Sequence, residues 1–194
     1  MESLRQRNRI RAMREAQRVA LRLFEHRGFD QVTVEEIARD SGMAASTIFR
    51  HFGTKEYLVL WDEHADAVDA ALAARLGRQP PHEAIRDALL ETLAVRFEAE
   101  RDFQLARLRL IFGTESLHGA AVEDDLKARH DLAEAIADVL PAKDRSAAPL
   151  LAGAAVLGLE IALERWQAPE SQESLADLIR DAYDMLGDLA SIGS

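Results

Sequence analysis

Residues 28–58 read GFDQVTVEEIARDSGMAASTIFRHFGTKEYL, and the placing of caps, glycines and apolar side chains along them decides the fold. Thr33 followed by Glu36 is a capping-box pattern. The Thr hydroxyl can accept the Glu36 backbone N–H while the Glu36 carboxylate reaches back to the cap N–H. A short helix is predicted from about Val34 to Asp40, with Val34, Ile37 and Ala38 turned inward. Gly42 suits the positive-φ position just past its end, where the chain must turn sharply. A second helix, about Ala44 to His51, sets Ile48 and Phe52 one turn apart on an inner face. Two short helices joined by a glycine-containing turn form the arrangement that lays its second helix in the major groove of DNA.

Ala45, Ser46, Thr47, Arg50 and His51 are left outward on that second helix. They are small or hydrogen-bonding, so the backbone can approach a groove, and Arg50 can reach a phosphate or a guanine edge. Thr54 can cap the next helix and place Lys55 in its first turn. A cation there opposes the helix dipole but suits a neighbouring phosphate. The same two helices could also serve as a plain structural corner.

The whole string resembles the TetR family of transcriptional regulators (TetR/AcrR-like). The resemblance rests on Gly28, Phe29, Thr33, Ile37, Ala38, Gly42, Thr47, Phe49, His51, Phe52, Lys55 and Leu58, which stand in the family's order and spacing. It covers about the first sixty residues. Two positions depart from the family pattern. Ala44 stands where Ser or Thr is usual, which removes a side-chain cap worth roughly 0.5–2 kcal/mol. Phe49 stands where a Tyr hydroxyl commonly touches a phosphate.

Charge is divided in a way that fits a DNA-binding head. The net charge is −10. Residues 1–55 carry 11 Arg or Lys against 7 Asp or Glu, or +4, and residues 56–194 carry 13 against 27, or −14. A basic head on an acidic body gathers phosphate attraction at one end. The first helix, about Gln6 to His26, opens with Arg5, Arg7, Arg9 and Arg11, read either as a solvated end or as phosphate and minor-groove contacts. With 48% apolar residues the chain can bury a substantial core, and with no cysteine it has neither disulfides nor thiolate metal sites. The first residues hold no apolar run like that of a secretory signal, so a cytoplasmic protein is expected.

The body reads as helices throughout. A helix opened by Thr54 is expected to run to about Leu76, and another from His82 to Glu100. Asp102–Phe112 follows, then a loop bracketed by Gly113 and Gly119, and a helix from Val122 to Leu140. Ser146 is expected to cap a helix reaching Gln167 that is apolar almost all round, too short and too interrupted by Glu160 for a membrane span. Ser171 is expected to cap the last helix, with Leu175, Leu178, Ile179, Ala182, Leu186 and Leu189 in one stripe. Burial on several sides points to a second subunit, and half-sites about 34–36 Å apart require a symmetric partner. The resemblance implies the same, since TetR-like proteins dimerise through their last two helices. The expected interface is Leu151, Ala154, Ala155, Gly158, Ala162, Leu175, Ile179 and Leu186.

Six histidines form no convincing metal pattern, and Glu115-Ser-Leu-His118 is a single Glu-x-x-His in an expected loop. No cofactor is implied, and no catalytic motif stands in the chain. The resemblance implies a small-molecule effector bound among the middle helices, for which Trp61, Phe97, Phe103, Arg107, Phe112 and Trp166 are the candidate lining.

The sequence is therefore read as an all-α, two-domain regulator, with a helix-turn-helix head over 1–54 and a helical regulatory and dimerisation body over 55–194. Its expected partner is a palindromic double-stranded DNA operator, bound by a homodimer without any membrane. The expected contacts are Arg5, Arg9, Thr33, Ala44, Ala45, Ser46, Thr47, Phe49, Arg50, His51 and Lys55. The rival reading is a helical small-molecule-binding or interaction protein whose head no longer binds DNA.

Overall fold

The computed structural model describes residues 4–191, with side chains through Asp188, so Leu189 lies outside the described side chains. The fold is all-α, with no strand among the described residues. The chain forms two compact units, residues 1–63 with 109–121 and residues 64–108 with 122–194. The first compact unit thus runs past the expected head of residues 1–54 to residue 63 and includes a later segment.

In the first unit, α1 (Leu4–Arg27) is followed by α2 (Val34–Ser41), α3 (Ala45–Phe52) and α4 (Lys55–Leu60). Met13, Ala16, Ala20, Leu21 and Phe24 of α1 are buried, as are Ile37, Ile48, Phe52 and Leu58. The three- and four-residue spacing of these side chains is what makes each short helix one-sided. Phe24 and Phe29 rings meet at 4.9 Å, closing the turn that leads into α2.

The long helix expected over 54–76 is two helices, α4 and α5 (Ala65–Ala73), with a break between them. The cause is a buried amide. Gln17 Nε2 lies 3.1, 3.1 and 2.8 Å from the carbonyl oxygens of Leu58, Val59 and Trp61. Helix continuation would bond the first two carbonyls to N–H groups four residues on, and Gln17 takes that place.

The second unit carries α5, α6 (Pro81–Leu89), a π-turn over Leu90–Ala94, α7 (Val95–Ala99), most of α8 (Arg101–Gly113) and of α9 (Glu115–Val139), α10 (Ala148–Gln167) and α11 (Leu175–Ser191). The helix expected to span 82–100 is thus interrupted by a wider turn. There the Thr92 hydroxyl donates to the Ala88 carbonyl at 2.6 Å, competing with the backbone ladder. The loop expected between Gly113 and Gly119 is mostly the start of α9, and Glu115 and His118 lie in its first turns.

Both expected caps on the last helices also move. A 3-10 turn over Arg145–Ala147 leads into α10 in place of a Ser146 cap. For α11 the cap is Ser174, whose hydroxyl accepts the Asp177 N–H at 3.1 Å, and Ser171 lies upstream. The Glu98 carboxylate adds to that cap by accepting the Leu175 N–H at 2.9 Å and the Trp166 indole N–H at 3.2 Å. Backbone donation and the nearby Arg101 charge outweigh burial and hold Glu98 below the ordinary carboxylate range.

Helices α10 and α11 pack on each other within one chain. A Cβ placed on Gly158 would meet Leu186, Tyr183 and Ala182 at 3.6–3.9 Å. The buried Tyr183 hydroxyl donates to the Ala155 carbonyl at 2.7 Å. Ala155, Gly158, Ala162, Leu175 and Ile179, expected at the subunit interface, are therefore used inside the chain. Leu151, Ala154 and Leu186 are half-buried. What remains open is a different apolar stripe: Leu150 (75% exposed), Leu157 (53%) and Ile161 (43%) of α10, with Met185 (55%) of α11. The segment Arg145–Gln167 is, by length and composition alone, long and apolar enough to cross a membrane, which corrects the expectation that it is too short.

Gly158→Ala should change stability little, because its methyl would make ordinary contacts, whereas Gly158→Leu should destabilise by about 1–3 kcal/mol through overpacking. Denaturant unfolding of both variants checks this, and equal stability would remove α10 and α11 from contact at Gly158.

Candidate nucleic-acid interface

The α2–turn–α3 element is built from its own residues. The Thr33 hydroxyl accepts the Glu36 N–H at 3.2 Å, and Glu36 Oε2 accepts the Thr33 N–H at 2.9 Å. Arg27 donates to the same carboxylate at 2.8 Å. The Thr33 backbone N–H, with the Arg27 and Thr33 side chains, lowers the Glu36 pKa to about 2. Gly42 ends α2 at φ 71°, in the left-handed region that glycine enters without a steric cost. Ala44 precedes α3 in extended conformation and offers no side-chain cap.

With Ile48 and Phe52 buried, the opposite face of α3 is left open. Ala44, Ser46, Phe49 and Arg50 are exposed, and Ala45, Thr47 and His51 are half-buried. This face is short-chained at its N-terminal end and cationic in its last turn. Such a surface allows close approach of helix backbone to base edges while Arg50 supplies the reach. On α1, Arg5 and Arg9 are exposed. The charge of Arg9 acts on His51, which brings α1 and the end of α3 into one electrostatic neighbourhood.

Thr33 and Lys55 have structural partners. The Thr33 hydroxyl is bonded within the capping box, and it is exposed. The Lys55 ammonium donates to the Phe29 carbonyl at 2.8 Å and the Val32 carbonyl at 3.2 Å, and lies 4.1 Å from the Phe29 ring centre. Its cation is thus held against the turn before α2, which explains a lysine in the first turn of α4 despite the dipole. Thr54 caps α4 by accepting the Tyr57 N–H at 3.2 Å.

The profile described as "Bacterial regulatory proteins, tetR family" matches residues 18–60. A second, described as the MftR C-terminal domain, matches residues 79–190, more than half the chain. The chain belongs to the TetR family. It is 30% identical over 173 residues to a Mycobacterium tuberculosis protein named "Putative mycofactocin biosynthesis transcriptional regulator MftR", covering 87% of this chain and 86% of that one. It is 28% identical over 185 residues to the HTH-type transcriptional regulator BetI of Agrobacterium fabrum, covering 86% and 83%. Among solved structures, the fold is similar to the Pseudomonas aeruginosa repressor NalD, at TM-score 0.57 and 15% identity over 94% of this chain and 96% of that one. It is also similar to FadR of Thermus thermophilus, solved with lauroyl-CoA, at TM-score 0.53 and 22% identity over 90% and 92%. This TetR-family chain is accordingly a DNA-binding transcriptional regulator.

The residues proposed from sequence as an effector pocket are divided between the units. Trp61 and Phe112 belong to the first, where Trp61 stands edge-on to Phe52 at 5.7 Å and Phe112 lies against His118. Phe97, Phe103, Arg107 and Trp166 belong to the second. There Phe97 and Trp166 are core, with rings 5.8 Å apart. Arg107 is buried and donates to the buried Gln104 at 3.3 Å, a polar pair that periodicity alone did not reveal. Among the described residues, no group of three or more His, Asp or Glu side chains is placed to hold a metal.

Lys55→Ala should destabilise the head by about 1–3 kcal/mol, the range for losing hydrogen bonds from a charged donor, and leave the salt slope of DNA binding unchanged. A slope reduced by about one would instead make Lys55 a phosphate contact. His51 is held below its ordinary 6.5 by desolvation, then by Arg50 and Arg9. A phosphate beside it would raise that pKa again, so binding would take up a proton and tighten as pH falls toward and below 6.5. A titration of DNA affinity against pH that is equally steep in His51→Gln would place the proton elsewhere.

Proposed function

We propose that this regulator is a repressor that binds a palindromic operator as a homodimer and is released by a small molecule. The observation that carries the proposal is the pairing of a helix-turn-helix, open along α3, with an unpartnered apolar stripe on α10 and α11. One such head reads a single half-site. A second, related by two-fold symmetry, is needed to span half-sites about 34–36 Å apart. The stripe of Leu150, Leu157, Ile161 and Met185 supports a self-complementary interface, since burying each such side chain contributes about 1.5–3 kcal/mol. This interface replaces the one expected from small residues, while keeping it on the same two helices.

In this reading Ala44, Ala45, Ser46, Thr47 and Phe49 lie along the groove, Arg50 reads a base edge, and Arg5, Arg9 and His51 meet phosphates. Thr33 touches a phosphate only if its hydroxyl keeps a lone pair outside the capping box. The effector acts through its different affinity for operator-bound and released conformations of the dimer. The buried Arg107–Gln104 pair supports a ligand that carries an acidic or strongly polar group, because polar side chains in an apolar interior fix a ligand's orientation. A cytoplasmic location follows from an operator as partner.

Selection of duplexes from a random pool, repeated at two salt concentrations, tests the proposal. Recovery of a palindrome bound less tightly at high salt is expected, because phosphate contacts release counterions. Only unspecific binding would sink the operator and favour a helical ligand-binding protein with a degenerate head. Arg50→Ala should cost about 1–3 kcal/mol and relax preference at one position of each half-site. Sedimentation of Leu157→Glu should show monomers and weakened operator binding. A normal dimer there would mean that the α10 stripe faces something other than a second copy.

A further inference from the structure

The first helix carries more cation than the operator-facing side uses. Arg7, Arg11, Arg14 and Arg18 recur at four, three and four residues. At about 100° per residue they fall within about 60° of one another and form a stripe about 16 Å long. Arg5 and Arg9 project roughly 150° or more away around the same helix. Arg9 stands above Met13, Ala16 and Ala20, on the side of α1 that is buried in the head. The four-arginine stripe therefore lies on the other, outward side of α1.

The stripe is also concave. Arg7, Ile10, Arg11, Arg14, Glu15, Arg18 and Glu63 surround a groove of about 640 Å³. The groove is half open to solvent, and its volume falls in the range of small-molecule clefts. One end holds an internal anion: Glu63, whose side chain is only 11% exposed, is ion-paired with Arg14. Four guanidiniums against two carboxylates leave the groove with two positive charges in excess. Planar guanidiniums in a row suit phosphate oxygens, which they bind in bidentate fashion.

We propose that this groove is a binding site for a small molecule carrying a diphosphate or two neighbouring phosphates, separate from the operator interface. The ligand's phosphates bridge Arg7 and Arg11, one turn apart and both exposed, and compete with the Glu63 carboxylate for Arg14. Ile10 gives the rest of the ligand an apolar floor. Glu63 holds the empty groove in shape, and its exchange for a phosphate frees the segment that follows α4.

Calorimetric titration of the full chain with inorganic pyrophosphate, at about 150 mM salt, tests this. One site per chain is expected. Arg7→Ala with Arg11→Ala, both exposed positions, should weaken it by about tenfold or more, as for loss of bidentate phosphate contacts. Arg5→Ala with Arg9→Ala should leave it unchanged, and Glu63→Gln should strengthen it severalfold by removing the competing carboxylate. No binding at that salt, or equal loss in both arginine pairs, would reduce the stripe to a diffuse basic surface. If the Arg7/Arg11 pair weakens binding to random-sequence duplex DNA as much as the Arg5/Arg9 pair does, the stripe is a DNA-backbone contact and the site is overturned. Helix content measured by circular dichroism confirms that each variant is folded.

Discussion

The head depends on one buried amide. Gln17 reaches from α1 to the carbonyls ending α4, and in doing so it both ends that helix and ties it to the helix that opens the chain. A buried polar group of this kind is stable only when it is hydrogen-bonded, so its position is as constrained as that of any apolar neighbour. Lys55, at the other end of α4, is held by the Phe29 and Val32 carbonyls. Helix α4 is thereby anchored at both ends within a unit whose apolar core is small, and α3 is presented on a rigid base. A groove-reading helix needs that rigidity, because misplacing its side chains by an ångström loses base-edge hydrogen bonds.

The second unit shows how the same residue types serve different ends. Small residues along α10 let α11 approach closely, and Tyr183 and Glu98 then lock the pair by hydrogen bonds to backbone and indole. The large apolar residues on the other side of α10 are left open. Contact inside the chain thus takes one face of α10 and leaves a second apolar face exposed. Periodicity showed that α10 is apolar nearly all round, but not which face each partner takes.

The two arginine sets on α1 make a similar division by angle. Residues two apart in a helix point to different sides, so an arginine-rich opening is not one surface but two. Arg9 stands above the buried side of the helix, and the other set borders a groove with Glu63 at one end.

The helix-turn-helix was legible because its signals are local: a Thr–Glu capping box, a glycine at positive φ, and apolar residues one turn apart all act within ten residues. Those interactions form in the same way whatever surrounds them, and they carried the family as well. The breaks were not legible. Gln17 ending α4, the π-turn at Thr92 and the shift of the last cap to Ser174 depend on partners far along the chain or on competition between near-equal local bonds. The partners that Lys55, Gly158 of α10 and Trp61 take within the chain were not legible for the same reason. A side chain's chemistry is written in the sequence, but which of several suitable partners it meets is decided only when distant segments pack and water is excluded.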